Sequence, residues 1–307
     1  MYIDSLSCDY TELVRDLKGA ACYNEPMRHH TSLGIGGSAA MYYEPQDINS
    51  LMALVQRARE MSLPLIIIGR GSNLLFGDED IDAVVVSTRQ LNTLQWLLNK
   101  DVLTIKAAAG LPLQKLLNFA LKASAAGLEG LAGIPGTLGG AIAGNAGSFG
   151  FEIKDVIEDI SLITNTGELR QLTAEMIPFS YRHCGLAGDG VIVEATLRLI
   201  RGNANALKER FNDCLSQKKK SQPLAELSAG CVFKNPPGDF AGKLIENAGC
   251  KAMAEGQIEV STRHANFFIN KARGTAADFL TLMTRVQEAV RANSGVELTP
   301  EIKIVAR

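Results

Sequence analysis

Three glycine-dense segments carry the residue types and spacing best suited to hold an anion: Leu33-Gly34-Ile35-Gly36-Gly37, Gly69-Arg70-Gly71-Ser72-Asn73, and Ile134-Pro135-Gly136-Thr137-Leu138-Gly139-Gly140-Ala141-Ile142-Ala143-Gly144-Asn145-Ala146-Gly147. Glycine has no Cβ, so backbone N–H groups approach a pyrophosphate or a flavin ring closely, and successive amides in such turns form anion-binding nests. The second loop directly follows the apolar run Leu65 to Ile68, where a phosphate-binding turn belongs. Taken singly, each loop reads more readily as a tight turn. The first is a poor dinucleotide fingerprint, because Tyr42-Tyr43-Glu44-Pro45 follows it as a strand end instead of an amphipathic helix with a downstream acid. No Gly-Lys-Ser/Thr closes any loop, which argues against ATP chemistry of the Walker type. The six cysteines, at 8, 22, 184, 214, 231 and 250, contain no C-x-x-C pair, so neither a metal site nor a disulfide framework is expected, and a reducing compartment fits best.

Alternating elements are needed to position these loops. Apolar spacing predicts a strand at Ala39 to Tyr43, a helix from Asp47 to Met61 and a strand at Leu65 to Ile68, a β-α-β arrangement ending in the second loop. A mixed pattern continues through Ala83 to Val86, Val102 to Ala107, a helix around Leu113 to Ala126, Ile160 to Thr164 and Val191 to Leu199. Asn165-Thr166-Gly167-Glu168 reads as a hairpin turn. Residues 203–221 are polar and helical in character and end in Gln217-Lys218-Lys219-Lys220, cations favoured by a helix C-terminus. Further on come a turn at Asn235-Pro236-Pro237-Gly238, a short helix over Phe240 to Ala248, a strand at Ala265 to Ile269, a long helix over Ala276 to Asn293 and a final strand at Glu301 to Val305. The expected division is a helix and polar approach over 1–30, a two-part domain over 31–200 split near 90–100, and a C-terminal domain over 201–307.

Composition is that of a folded globular chain of 307 residues, 46% hydrophobic and 21% charged. A formal net charge of -2 means that an anionic substrate must be held by a local cluster of cations, and it suggests no nucleic-acid partner. Acidic and basic residues interrupt Met1 to Gly19, so no signal peptide is expected, and the longest apolar runs are too short to span a bilayer. A cytoplasmic protein with no membrane partner and no evident obligate protein partner is the expectation.

Together the second and third loops resemble the FAD-binding domain of the vanillyl-alcohol-oxidase and p-cresol-methylhydroxylase type, and within it the UDP-N-acetylenolpyruvoylglucosamine reductase (MurB) family. That resemblance runs from His30-Thr31-Ser32-Leu33-Gly34-Ile35-Gly36-Gly37 to Pro300-Glu301-Ile302-Lys303-Ile304. It includes Phe179-Ser180-Tyr181-Arg182, Ser228-Ala229-Gly230-Cys231-Val232-Phe233-Lys234-Asn235-Pro236 and Val260-Ser261-Thr262-Arg263-His264-Ala265. It implies an α+β fold with two α/β FAD-binding subdomains and a C-terminal α+β substrate-binding domain. The short passage from Lys251 to Val260 suggests the form of the family that lacks a tyrosine loop closing over the substrate.

The chemistry implied by the resemblance is reduction of the enolpyruvyl ether of a UDP-sugar to a lactyl ether, with hydride passing from NADPH to FAD and then to the terminal carbon. Negative charge then develops on the substrate carboxylate, and the adjacent carbon needs a proton. Arg182 matches the family's arginine and Glu301 its catalytic glutamate, both facing the developing enediolate. Cys231 stands where the family usually has the serine that protonates the intermediate. A thiol with a reference pKa near 8.5 is the better acid, so retained activity is expected, together with sensitivity to oxidants and alkylating reagents. Gly69, Arg70, Gly71, Ser72, Asn73, Gly136, Thr137, Gly139, Gly140, Asn145 and Gly147 match cofactor-binding positions. Tyr181, Lys219, Asn235 and His264 match positions on or near the substrate, the lysine's register within the run being open by one residue. Two rivals stand: an alcohol or phenol oxidase of the same flavin fold, and a non-catalytic flavin- or nucleotide-binding protein. The Arg182, Cys231 and Glu301 set suits a carboxylate-activated alkene better than either.

Overall fold

The computed structural model describes residues 10–186 and 188–306; Cys8 lies outside them. The chain opens with a single helical turn, α1 (Tyr10–Leu13), then β1 (Gly19–Pro26), β2 (Ser38–Pro45), α2 (Ile48–Glu60), β3 (Leu65–Ile68), β4 (Leu74–Phe76) and β5 (Ile81–Ser87). Asp47 caps α2 by accepting from the Ser50 N–H at 2.8 Å, and Leu51, Leu54, Val55 and Ala58 form its buried stripe. A sheet of order β1-β2-β5-β3 results, with β1 antiparallel to β2 and the inner pairs parallel. The polar approach expected before residue 30 is therefore in part a strand. Its residues are mostly exposed, so β1 carries no apolar alternation by which the sequence could announce it.

The second sheet is built from β6 (Leu94–Asn99), β7 (Val102–Ala108), β8 (Ala125–Ala126), β11 (Ile157–Thr164), β12 (Leu169–Thr173) and β15 (Gly190–Arg201). It is antiparallel, of order β12-β11-β15-β7-β6, with β8 paired to the end of β15. The turn between β11 and β12 is the expected one, closed by Thr164 N–H to Glu168 O at 2.8 Å with Gly167 at φ 81°. Between β7 and β11 lie α3 (Leu113–Lys122), α4 (Leu138–Ala143) and the small ladder of β9 (Gly147–Ser148) with β10 (Phe151–Glu152). Between β12 and β15 lies the hairpin of β13 (Phe179–Ser180) and β14 (His183–Cys184).

The remainder comprises α5 (Ala204–Ser221), α6 (Ala241–Asn247), a sheet of β16 (Ala254–Glu255), β17 (Ile258–Val260) and β18 (Phe268–Asn270), α7 (Ala276–Ser294) and β19 (Lys303–Val305). Phe211 and Cys214 of α5 pack into the core of the second sheet, so the boundary expected near 200 falls ahead of a helix whose packing is with that sheet. α7 is delimited by a Thr275/Asp278 capping box and by Gly295 at φ 72°. Its Phe279, Leu282, Val286 and Val290 share a core with Phe233, Phe268, and also Leu33, Ile35 and Leu75 from the first part of the chain. β19 then returns to run parallel to β4, with Lys303 opposite Leu74 and Val305 opposite Phe76. Among the described residues no helix is long and apolar enough to cross a membrane.

Candidate functional site

The second and third glycine loops face each other. A Cβ on Gly69 would lie 2.3 Å from Thr137 Oγ1, and one on Gly136, at φ 122°, 3.0 Å from Ser72 Oγ. Ser72 Oγ donates to Pro135 O at 3.4 Å. Gly71, at φ 62°, brings the chain against His30, where a Cβ would meet the carbonyl oxygen at 2.1 Å. Thr137 is the N-cap of α4, its Oγ1 accepting from Gly140 N–H. Gly139 lets α4 pack on Ala109, where a Cβ would lie 2.8 Å from Ala109 Cβ. Among the described residues, the N–H groups of Arg70, Gly71, Ser72 and Asn73, and those of Gly136 and Thr137, donate to no protein acceptor. Two facing turns with free amides and no Cβ in the way fit the diphosphate of a dinucleotide such as FAD.

Other residues of the expected cofactor set also make contacts within the protein. Asn145 is fully buried at φ 39°, and its Nδ2 donates to Ser180 O at 3.0 Å and to Glu152 Oε2 at 3.2 Å. Its Oδ1 accepts from Lys154 N–H at 3.4 Å. Asn145 therefore anchors the strand that leads to Arg182. At Gly147 a Cβ would lie 3.4 Å from an Arg182 guanidinium nitrogen, so that glycine makes room for the arginine. Asn73 turns its amide to the carbonyl of Glu301 at 3.2 Å.

Arg182 and Glu301, 119 positions apart by their numbers, meet here with Nε 2.9 Å from Oε1 and relative side-chain exposures of 24% and 19%. The arginine N–H is not aimed along that line and has no aligned acceptor, so the contact is charge attraction more than hydrogen bond. Burial pushes the Glu301 carboxyl above the usual range, while Arg182 and then Lys234 pull it back. Arg182 itself sits at φ 54°, a left-handed conformation that a non-glycine residue adopts at a cost of order 1–3 kcal/mol. Its guanidinium lies 5.3 Å from the ring centre of Tyr181, whose side chain is exposed.

Cys231 joins the pair through the backbone: the neighbouring Val232 carbonyl accepts from Glu301 N–H at 2.7 Å. Burial pushes its thiol up to about 12, Glu301 adds to the rise, and Arg182, Lys218 and the Asn266 amide oppose it. Burial thus works against the sensitivity to alkylation expected from a free thiol, since the thiolate is the reactive form. Asn266, which sequence reasoning missed, is buried and clamps Phe233 with Oδ1 and Nδ2, at 2.9 and 2.7 Å.

Of the three lysines in the run, Lys218 alone is buried. Lys219 is exposed, whereas Lys218 is 4% exposed, and its Nζ donates to Ala132 O at 2.8 Å and to Gly130 O at 3.4 Å. Phe149 lies 5.5 Å below it. Burial lowers Lys218 to about 8, with the Arg182 charge adding to the fall and Cys214 and Cys231 opposing it. A buried lysine in a run of three is visible only once helical phase is known: Leu207, Phe211, Cys214 and Lys218 mark the inward stripe of α5. Asn235 is exposed and its Oδ1 accepts from Ala241 N–H at 3.0 Å, starting α6. His264 is partly buried, its basicity lowered by burial, and it packs against Phe267 at 4.9 Å. The open grooves lined by Thr164, Arg170 and Asp189 and by Arg28, Asp78 and Arg273 contain none of these groups.

Against known proteins, residues 39–173 match an FAD binding domain and residues 222–305 match the C-terminal domain of UDP-N-acetylenolpyruvoylglucosamine reductase. The chain is 38% identical over 297 residues to the UDP-N-acetylenolpyruvoylglucosamine reductase of Heliobacterium modesticaldum, covering 96% of this chain and 94% of that protein. The chain belongs to the UDP-N-acetylenolpyruvoylglucosamine reductase family. The corresponding reductase of Caldanaerobacter subterraneus is 39% identical over 94% of each chain. The crystal structure of the Thermus caldophilus reductase superposes with a TM-score of 0.79 at 30% identity, covering 94% of this chain and 99% of that one. The family's fold, an FAD-binding domain followed by the reductase C-terminal domain in a mixed α and β architecture, is thus the fold of this chain.

Proposed function

We propose that this protein reduces UDP-N-acetylglucosamine enolpyruvate to UDP-N-acetylmuramate, a step of peptidoglycan precursor synthesis, using FAD and NADPH in the cytoplasm. The observation that carries the reading is the half-buried Arg182–Glu301 pair, 2.9 Å apart, held beside the Cys231 stretch by the Glu301 N–H to Val232 O hydrogen bond. The residues able to hold the cofactor diphosphate are the amides of residues 70–73 and 136–137. FAD bound there would supply the hydride.

What the chain's own groups do follows from charge. Hydride addition to the terminal carbon moves an electron pair onto the substrate carboxylate, giving an enediolate. Arg182 offers a permanent cation to that charge. Glu301, pushed toward its protonated form by burial, is suited to donate a hydrogen bond to the same oxygens. Cys231 keeps its proton at neutral pH and gives it to the carbon next to the carboxylate, a far stronger base than a thiolate. The C–H bond forms as the S–H bond breaks, and Arg182 and Lys218 stabilise the thiolate left behind. Lys218, Tyr181, Asn235 and His264 form the polar surround for the anionic UDP-sugar. The Ala254–Val260 stretch is a tight β16–β17 hairpin, in keeping with the form that lacks a closing tyrosine loop.

Anaerobic stopped-flow tests the assignment. The yellow protein is reduced with NADPH and mixed with UDP-N-acetylglucosamine enolpyruvate while flavin absorbance is followed. Rapid reoxidation in wild type and in Cys231→Ser, with loss of at least a hundredfold in Cys231→Ala, is the expected result. No substrate-dependent reoxidation of wild type would sink the reductase reading.

A further inference from the structure

We infer that the Asn73 side chain is a positioning residue for Glu301, tying the acid to the loop that cradles the diphosphate. The inference rests on the roles proposed above for Glu301 and that loop.

Segment 299–303 runs between two supports. On one side it pairs with the stretch that carries the proton donor: Lys234 N–H donates to Thr299 O at 2.8 Å, Phe233 bridges Pro300, and Glu301 N–H donates to Val232 O. On the other side lies the second glycine loop. Asn73 Nδ2 donates to Glu301 O at 3.2 Å, and Asn73 O accepts from Lys303 N–H at 3.1 Å, after which β19 continues along β4. The Glu301 N–H is thus fixed by the Cys231 stretch and its C=O by Asn73. The direction of a side chain follows from the backbone torsions on either side of its Cα. Apolar packing places the segment through Leu298 and Ile302, and the peptide that follows Glu301 is held at both ends: the Ile302 N–H donates to Val232 O at 3.3 Å, and the Glu301 C=O accepts from Asn73. Without the Asn73 amide, only the long Ile302 N–H to Val232 O bond resists rotation of that peptide, and the Glu301 carboxyl loses its register on Arg182.

A cofactor contact made by the Asn73 side chain, as distinct from its backbone amide, makes the opposite forecast. Asn73→Ala, the milder Asn73→Ser and the near-isosteric Asn73→Asp are compared with wild type as holoenzymes. Three readouts are taken: FAD affinity, the rates of the two anaerobic half-reactions, and amide hydrogen exchange over residues 301–305. Positioning predicts that reoxidation by the enolpyruvyl substrate falls at least tenfold more than reduction by NADPH, and that exchange at 302 and 303 rises. In Asn73→Asp the carboxylate repels the Glu301 carbonyl, whereas its protonated form restores a donor. Its reoxidation rate relative to wild type should therefore climb as pH falls. Equal slowing of both half-reactions with weakened FAD binding, or unchanged exchange at 302 and 303, would overturn the inference. If wild type fails to reoxidise at all, the function proposal fails, and the exchange comparison still decides the clamp.

Discussion

At the scale of single residues, the same two effects, burial and neighbouring charge, decide what each titratable group does. Cys231 is the chain's departure from the family's usual serine, and its surroundings keep it protonated: the thiol reaches about 12. At pH 7.5 iodoacetamide should modify exposed Cys22 and leave Cys231 intact, with buried Cys184, Cys214 and Cys250 also slow, as read by peptide mass spectrometry. Lys218 provides a pH signature. Its folded value of about 8 lies below the ordinary 10.5 of a lysine. The unfolded chain therefore binds more protons between those values, and stability should rise with pH across that window by about 1.4 kcal/mol for each unit of difference. Function should move the other way. As Lys218 discharges above pH 8, KM for the anionic substrate should increase, and in Lys218→Met that dependence should vanish from a KM profile taken between pH 7 and 9.5.

At the scale of elements, helix ends and glycine turns hold the parts in register. Asp78, in the loop after β4, accepts from Ala276 N–H at 2.7 Å and Ala277 N–H at 2.9 Å, so the first part of the chain supplies a second cap to α7. Asp78→Ala should cost about 1 kcal/mol, the usual worth of a cap, measured as a shift in urea midpoint at unchanged slope. Gly71 is the stricter position. Its φ of 62° and the close His30 carbonyl leave no room for a methyl group. Gly71→Ala should lose about 1–3 kcal/mol to strain alone and should purify with reduced flavin content, read from the ratio of visible to ultraviolet absorbance. By contrast Gly150, at φ 78° with nothing within 4 Å, has space for a Cβ, and only backbone strain opposes substitution there.

At the scale of the whole molecule, the site exists because the C-terminus comes home. β19 lies on β4, Ser32 Oγ donates to Ser228 O at 2.7 Å, and Asn270 Nδ2 donates to Leu33 O at 2.9 Å. These contacts bring Glu301 and Cys231 to Arg182. Ending the chain after Ile302 removes β19 and leaves β4 without its parallel partner. For a chain of this size each kcal/mol lost lowers Tm by about 2–4 °C, so a fall of several degrees is expected by calorimetry. Reoxidation by substrate should drop more than reduction by NADPH, since Glu301 loses its register while the facing loops remain.

Periodicity and punctuation alone determined much of the fold. The stripe of α2 with Asp47 before it, the hairpin at Asn165 to Glu168 and the capped run of α7 are local signals, because each is set by residues within a turn or two of one another. The motifs also announced the family and named Arg182, Cys231 and Glu301. Exposed β1 and β6 stayed hidden, since strands without a buried face carry no alternation. Tertiary structure decided which lysine of the run turns inward, that the Asn145 and Asn73 amides bind the backbone of Ser180 and Glu301, and that burial opposes ionisation of the Cys231 thiol. Those properties depend on desolvation and on partners up to 228 positions away, and neither quantity is contained in a residue's neighbours along the chain.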